Sequence, residues 1–172
     1  VCLPSVAGCR STPVPPPTYY LLAGKTASNG NSLSLAPMVI GEVVGAQALD
    51  RQEIVLRRSA HHLQFAPTDR WVAVPGEVVR QALFTQLLPH VGASNIDMTR
   101  ASRGLTIEGH LLAFERDASQ AGACAAHLHL ALRIRRGDDQ EQLVCQRRQP
   151  CRQNTMVSFV EAMDEAVGQC AK

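Results

Sequence analysis

Six cysteines and six histidines are the side chains of this 172-residue chain with the widest chemical reach. A cysteine can carry lipid, close a disulfide, bind a metal or act as a nucleophile, and its spacing and compartment decide among these. Cys9 follows Val6-Ala7-Gly8 and precedes Arg10 and the run Ser11-Thr12-Pro13-Val14-Pro15-Pro16-Pro17. Small residues before a cysteine, then a spacer, match the end of a bacterial lipidation signal. That reading makes Cys9 the lipid-attachment residue, where the bland alternative is an unstructured tail that happens to contain Ala-Gly-Cys. A complete signal needs a charged start and an apolar stretch of about 7–15 residues. Residues 1–8 are therefore expected to be the remnant of a signal whose precursor is longer.

Setting Cys2 aside with the signal leaves Cys124, Cys145, Cys151 and Cys170, and four cysteines permit three pairings. None has C-x-x-C, zinc-finger or haem-attachment spacing, so an even set in an oxidising compartment reads most simply as two disulfides. A bonded cysteine is not a nucleophile, which removes Cys–His catalysis. His127-x-His129 places two imidazoles on one strand face, with His110 on a neighbouring strand, but no third ligand stands at recognisable spacing. A solvent-facing sheet carries such histidines without a metal, and His61-His62 reads as part of a hairpin turn. Asp97, Glu108 and Glu115 are acid–base candidates by type, yet single carboxylates near loops are ordinarily solvated. The chain has no G-x-S-x-G, P-loop or H-E-x-x-H. Neither an enzyme nor a cofactor is expected.

The elements that must position these groups occupy one domain over residues 18–172, after a spacer at 9–17. Net charge is +2 with acids and bases interspersed, and aromatics make up 4%. A nucleic-acid surface would want a basic block and stacking platforms, so that class is set aside. Beyond the N-terminus no apolar stretch reaches the eighteen or so residues of a membrane helix.

Tyr19-Tyr20-Leu21-Leu22 reads as a short strand and residues 27–32 as a loop. Leu33, Leu35 and Met38-Val39-Ile40 suggest a buried strand interrupted near Pro37. Glu53–Arg57 and His62–Ala66 look like a hairpin. Pro75 suits a first helical turn, and a helix is expected from there to about residue 89. Its apolar residues cover more than one face, which calls for packing on two sides or leaves part of it for a partner. Trp71, at its entry, is expected in the core rather than at an interface.

Leu105–Phe114 and Cys124–Ile134 read as strands, the latter with even-numbered residues facing inward. Arg136-Gly137-Asp138-Asp139 turns the chain into an antiparallel return from Gln142 to Arg148. Asn154 is the expected cap of a final amphipathic helix at 155–170, with Met156, Phe159, Met163 and Val167 on its buried stripe and Glu161, Asp164 and Glu165 opposite. About six strands and two main helices make an α/β sandwich rather than a barrel. With Gly137-Asp138 at the hairpin centre, paired residue numbers sum to 275, which sets Cys124 opposite Cys151 and Cys145 opposite Leu130. Cys124–Cys151 with Cys145–Cys170 is the preferred connectivity. The alternative Cys145–Cys151 spans about 20 Å if extended and needs a sharp break at Pro150.

In order, Cys9, Tyr19–Leu22, Leu49-Asp50-Arg51-Gln52-Glu53-Ile54-Val55-Leu56-Arg57, Asp69-Arg70-Trp71 before a helix, a late β-hairpin and a C-terminal helix follow a pattern. Together they resemble the ABC-type transport auxiliary lipoprotein family of the paraquat-inducible-protein C type, over most of the chain from Tyr19 to about Gly168. The resemblance implies a three-layer α/β arrangement around a mixed sheet of five to six strands. It also implies a non-catalytic accessory subunit working beside ABC transporters and mammalian-cell-entry (MCE) domain proteins that move lipid between envelope membranes. Arg10 rather than aspartate after Cys9 then points to the periplasmic face of the outer membrane. Homo-oligomers are compatible with that role. The rival readings are a periplasmic carrier that itself binds lipid or another hydrophobic ligand and, behind it, an unrecognised periplasmic enzyme. The helix at 75–88 and exposed strand edges are the expected docking candidates.

Overall fold

Alternation of apolar and polar residues along the first arm of the late hairpin, and a tight turn at Gly137, make two long paired strands, and the rest of the fold is built outward from them. A computed structural model describes residues 15–24, 38–91, 96–97, 104–120 and 122–171. Strand β1 is Thr18–Tyr20, β2 is Met38–Gly45, β3 is Glu53–Ser59 and β4 is His62–Trp71. Helix α1 is Pro75–Val91, β5 is Ile96–Asp97, β6 is Leu105–Asp117, β7 is Ala125–Arg136, β8 is Asp139–Pro150 and α2 is Met156–Cys170. The expected Leu33 and Leu35 part of a strand and the lipid-attachment Cys9 lie outside the described residues.

β6 is the spine. One of its edges pairs along its whole length with antiparallel β7, which pairs in turn with antiparallel β8. Its other edge is shared: β2 runs parallel to Leu105–Leu111, and β3 runs parallel to Glu115–Asp117. The sheet therefore forks, with β5 beyond β2 and the pair β4 and β1 beyond β3. A register shift between Leu111 and Ala113 lies where the two neighbours change over, as a bulge would to bend the strand. The sheet is mixed and open, and the chain is an α/β fold as expected.

Both helices lie on one face of it. α1 packs on β2, α2 packs on β7 and β8, and the helices touch each other. The third layer implied by the resemblance is therefore not formed by the described residues, which make two layers. The reason is that β7 and β8 present only their α2-side face to the core. Leu128 and Leu130 are fully buried there, while β8 is exposed along most of its length.

Trp71 ends β4 and is fully buried, with ring centroids 4.9 Å from Phe114 and 5.9 Å from Phe159. Such aromatic pairs contribute about 0.5–1.5 kcal/mol each beyond their burial. Pro75 opens α1, whose Val78, Val79, Ala82 and Leu83 are buried, while Phe84, Leu87 and Leu88 pack against the core from the flank. The helix is thus packed on two sides and offers little apolar surface to a partner. At Gly76 α1 lies so close to the sheet that a side-chain carbon there would meet the Val43 carbonyl. α2 is capped by Thr155, whose hydroxyl accepts from the Ser158 N–H, and not by Asn154. The helix starts one residue late for Asn154, whose amide oxygen accepts from Arg116 instead.

Candidate docking surface

The β7–β8 hairpin turns at Gly137, whose φ of +59° a glycine adopts without steric cost. Its register joins Ala125 to Pro150 and Leu130 to Cys145, so paired numbers sum to 275, and the Cys151 N–H donates to the Cys124 carbonyl at 2.9 Å. Disulfides join Cys124 to Cys151, with Cα atoms 5.3 Å apart, and Cys145 to Cys170, 5.7 Å apart. The first closes the base of the hairpin, and the second ties edge strand β8 to the last turn of α2.

None of the described residues covers the sheet face away from the helices, and alternation decides what stands on it. One rung crosses four strands as Val44, His110, Ala131 and Val144. Val44 is 45% and Val144 63% exposed, and Leu112 at the β6 bulge is 52% exposed. Beside this apolar strip His129 is half-buried opposite Ala113 and Gln146. Ion pairs bound it at both ends. Toward one end Arg135 donates to Glu108 at 3.0 Å. Toward the other, Glu115 is buried at 2% exposure and takes a bidentate fork from Arg57 and a hydrogen bond with His127 Nδ1 at 2.8 Å. Arg57 also donates to the carbonyls of Ser59 and Ala60, and Arg148 pairs with Asp117 at 2.9 Å. Burial works against ionisation of Glu115, yet the hydrogen bonds from His127 and Arg57 together hold its carboxyl below the ordinary carboxylate value. An apolar strip with a charged, pre-ordered rim is the anatomy of a protein-binding face.

Several expectations change here. Glu115 is not a solvated surface carboxylate but the buried centre of a charge network, and Glu108 is paired. Asp97 falls in β5, with no described side chain. His127 is engaged by Glu115, and among the described residues no three His, Cys, Asp or Glu side chains converge to hold a metal. His61 sits in the β3–β4 turn and His62 opens β4, both exposed. Asp164 does not face solvent, for its carboxylate accepts the Gly24 N–H at 3.0 Å and pins the segment after β1 to α2. Spacing carried no sign of these contacts, although an acid on a strand with a histidine and an arginine on the adjacent strands is the signal that would have found Glu115.

A cleft of about 500 Å³ beside the hairpin tip is lined by Leu105, Ile134, Arg136, Asp139, Gln140 and Glu141, with charges of both signs. No helix among the described residues is long and apolar enough to cross a membrane. Fold and surface together define an α/β domain with an ordered, uncovered sheet face.

Residues 19–172 match the family model of the ABC-type transport auxiliary lipoprotein component, and the chain belongs to that family. Among solved structures, it is similar to the crystal structure of protein XCC0632 from Xanthomonas campestris, assigned to the family model DUF330. That likeness has a TM-score of 0.75 at 14% identity and covers 90% of each chain. A second crystal structure, of an uncharacterized protein, is similar with a TM-score of 0.70 at 13% identity over 91% of this chain and 95% of that one. At such identities these likenesses speak to the fold alone. No curated protein matches the sequence.

Proposed function

We propose that this chain is a non-catalytic accessory subunit of an ABC-type system that moves lipid between envelope membranes together with an MCE-domain protein. Lipid on Cys9 holds it at the periplasmic face of the outer membrane, and the proline spacer of residues 9–17 sets the domain off that surface. A single acyl chain binds membranes only reversibly, so stable anchoring calls for a multiply acylated cysteine. The domain of residues 18–172 then docks through the uncovered face of β2, β6, β7 and β8, rather than through α1, whose apolar residues are spent on the core. The family match over residues 19–172 carries this reading.

An envelope pull-down with the intact lipidated protein tests it. MCE and ABC components are expected in the eluate, and a Val144→Glu variant should lose them while its thermal unfolding stays unchanged. Recovery of neither component would overturn the proposal.

A further inference from the structure

At the far end of the sheet, on the helix side, β3 and β6 carry arginines into one cleft. The cleft holds about 200 Å³ and is lined by Leu56, Arg58, Arg116, Ala118, Gln120, Gly122, Ala123 and Asn154. Four described arginines are half-buried, and Arg57, Arg70 and Arg80 each face a carboxylate. Arg116 is the half-buried arginine among the described residues without one. Its Nη2 donates to the Asn154 amide oxygen, and its buried Nε has no hydrogen-bond partner among the described residues. Among the described residues Arg58, beside it, donates to Gln64 at 2.9 Å and to no other side chain. Burial, together with the Arg58 charge, pushes the Arg116 guanidinium below its ordinary value, and Asp69 is the acid whose charge opposes this. Asp69 forms no ion pair with Arg116 and accepts from the Tyr20 hydroxyl at 3.0 Å.

The N-terminus of α2 adds to the same field. Asn154 lies two residues before Met156, and the partial positive charge of a helix start repels a guanidinium. The fold thus holds two like charges and a helix N-terminus around one concavity. That arrangement costs free energy unless an anion occupies it.

We infer that the cleft between Arg58, Arg116 and Asn154 is a binding site for a phosphate-type oxyanion. Two planar guanidinium forks match tetrahedral oxyanions with paired hydrogen bonds, and the cleft takes a phosphate group but not an acyl chain. The ligand is either free phosphate or the phosphate of a lipid headgroup presented at a membrane. The site does not rest on the transport reading, since a soluble oxyanion would fill it equally well.

The test uses the 172-residue chain. Inorganic phosphate is titrated by calorimetry in a phosphate-free buffer, and the protein is separately sedimented with phosphatidylcholine vesicles with and without phosphatidylglycerol. Saturable phosphate binding is expected, weakened about tenfold by Arg58→Gln and again by Arg116→Gln, and unchanged by Arg133→Gln on the opposite face. Arg58 is exposed, so Arg58→Gln keeps the test sound if Arg116→Gln fails to fold. Vesicle binding that free phosphate competes away would assign the site to a headgroup. Phosphate binding without vesicle binding would assign it to a soluble oxyanion. No phosphate binding, or binding that Arg58→Gln and Arg116→Gln both leave intact, would overturn the site.

Discussion

Removing the Cys145–Cys170 bridge as Cys145→Ala/Cys170→Ala tests the architecture at its weakest edge. Among the described residues β8 has a neighbouring strand on one side only, and this bridge ties it to α2. The bridge closes a loop with a sequence separation of 25 residues, and the Cys124–Cys151 loop spans 27. Loop-closure entropy for either corresponds to about 3.5 kcal/mol at 25 °C. The loops overlap between residues 145 and 151, so the two contributions do not add in full. The double variant should lose about 2–4 kcal/mol, which at a urea slope of about 2 kcal/mol/M moves the unfolding midpoint down by about 1–2 M. Equilibrium urea unfolding followed by Trp71 fluorescence is the assay, with parent and variant under non-reducing conditions. Amide exchange in β8 should quicken more than in β6, because the tether is local to that edge. A midpoint shift below about 0.3 M, or free thiols at Cys124, Cys145, Cys151 and Cys170 in the oxidised parent, would refute the reasoning.

Glu115→Gln should cost about 2 kcal/mol at neutral pH, because it weakens the charge-assisted bonds to Arg57 and His127. The folded pKa lies below the ordinary 4.5, so the parent's advantage is complete above that value and fades as pH falls through the folded pKa. Urea midpoints of parent and variant should converge in acid, and an undiminished gap there would count against the pairing. Gly76→Ala pushes a methyl against the Val43 carbonyl and should destabilise by about 1–3 kcal/mol, measurable as a lower thermal midpoint. An unchanged midpoint would mean that α1 does not sit this close to β2. Thr155→Ala removes the cap of α2 and should cost about 1 kcal/mol, whereas Asn154→Ala should leave the helix intact. Equal losses in the two would restore Asn154 as the cap.

How much of this was readable in advance divides by the range of the interaction. The helix bounds near Pro75 and at 155–170, the inward even-numbered residues of β7 and the Gly137 turn all follow from local periodicity and turn chemistry. Alternation also put His127 and His129 on the uncovered face. What it missed is what they meet there, since Glu115 is 58 residues from Arg57 and 12 from His127. Asp164 departs from the expected solvent-facing position for a related cause. It lies on the polar side of its helix, but the chain at Gly24 folds over that side and offers an N–H 140 positions away.

By itself the sequence determined the α/β class, the late hairpin and, through the register sum of 275, the strand pairing that seats Cys124 beside Cys151. It could do so because a two-stranded register follows arithmetically once the turn is located. Tertiary structure alone decided that β6 shares one edge between β2 and β3, that both helices cover one face, and that Arg58 and Arg116 converge before α2. Those outcomes depend on which strands become neighbours across long stretches of chain. No spacing within a single segment encodes that choice; it is settled when the apolar faces are buried together.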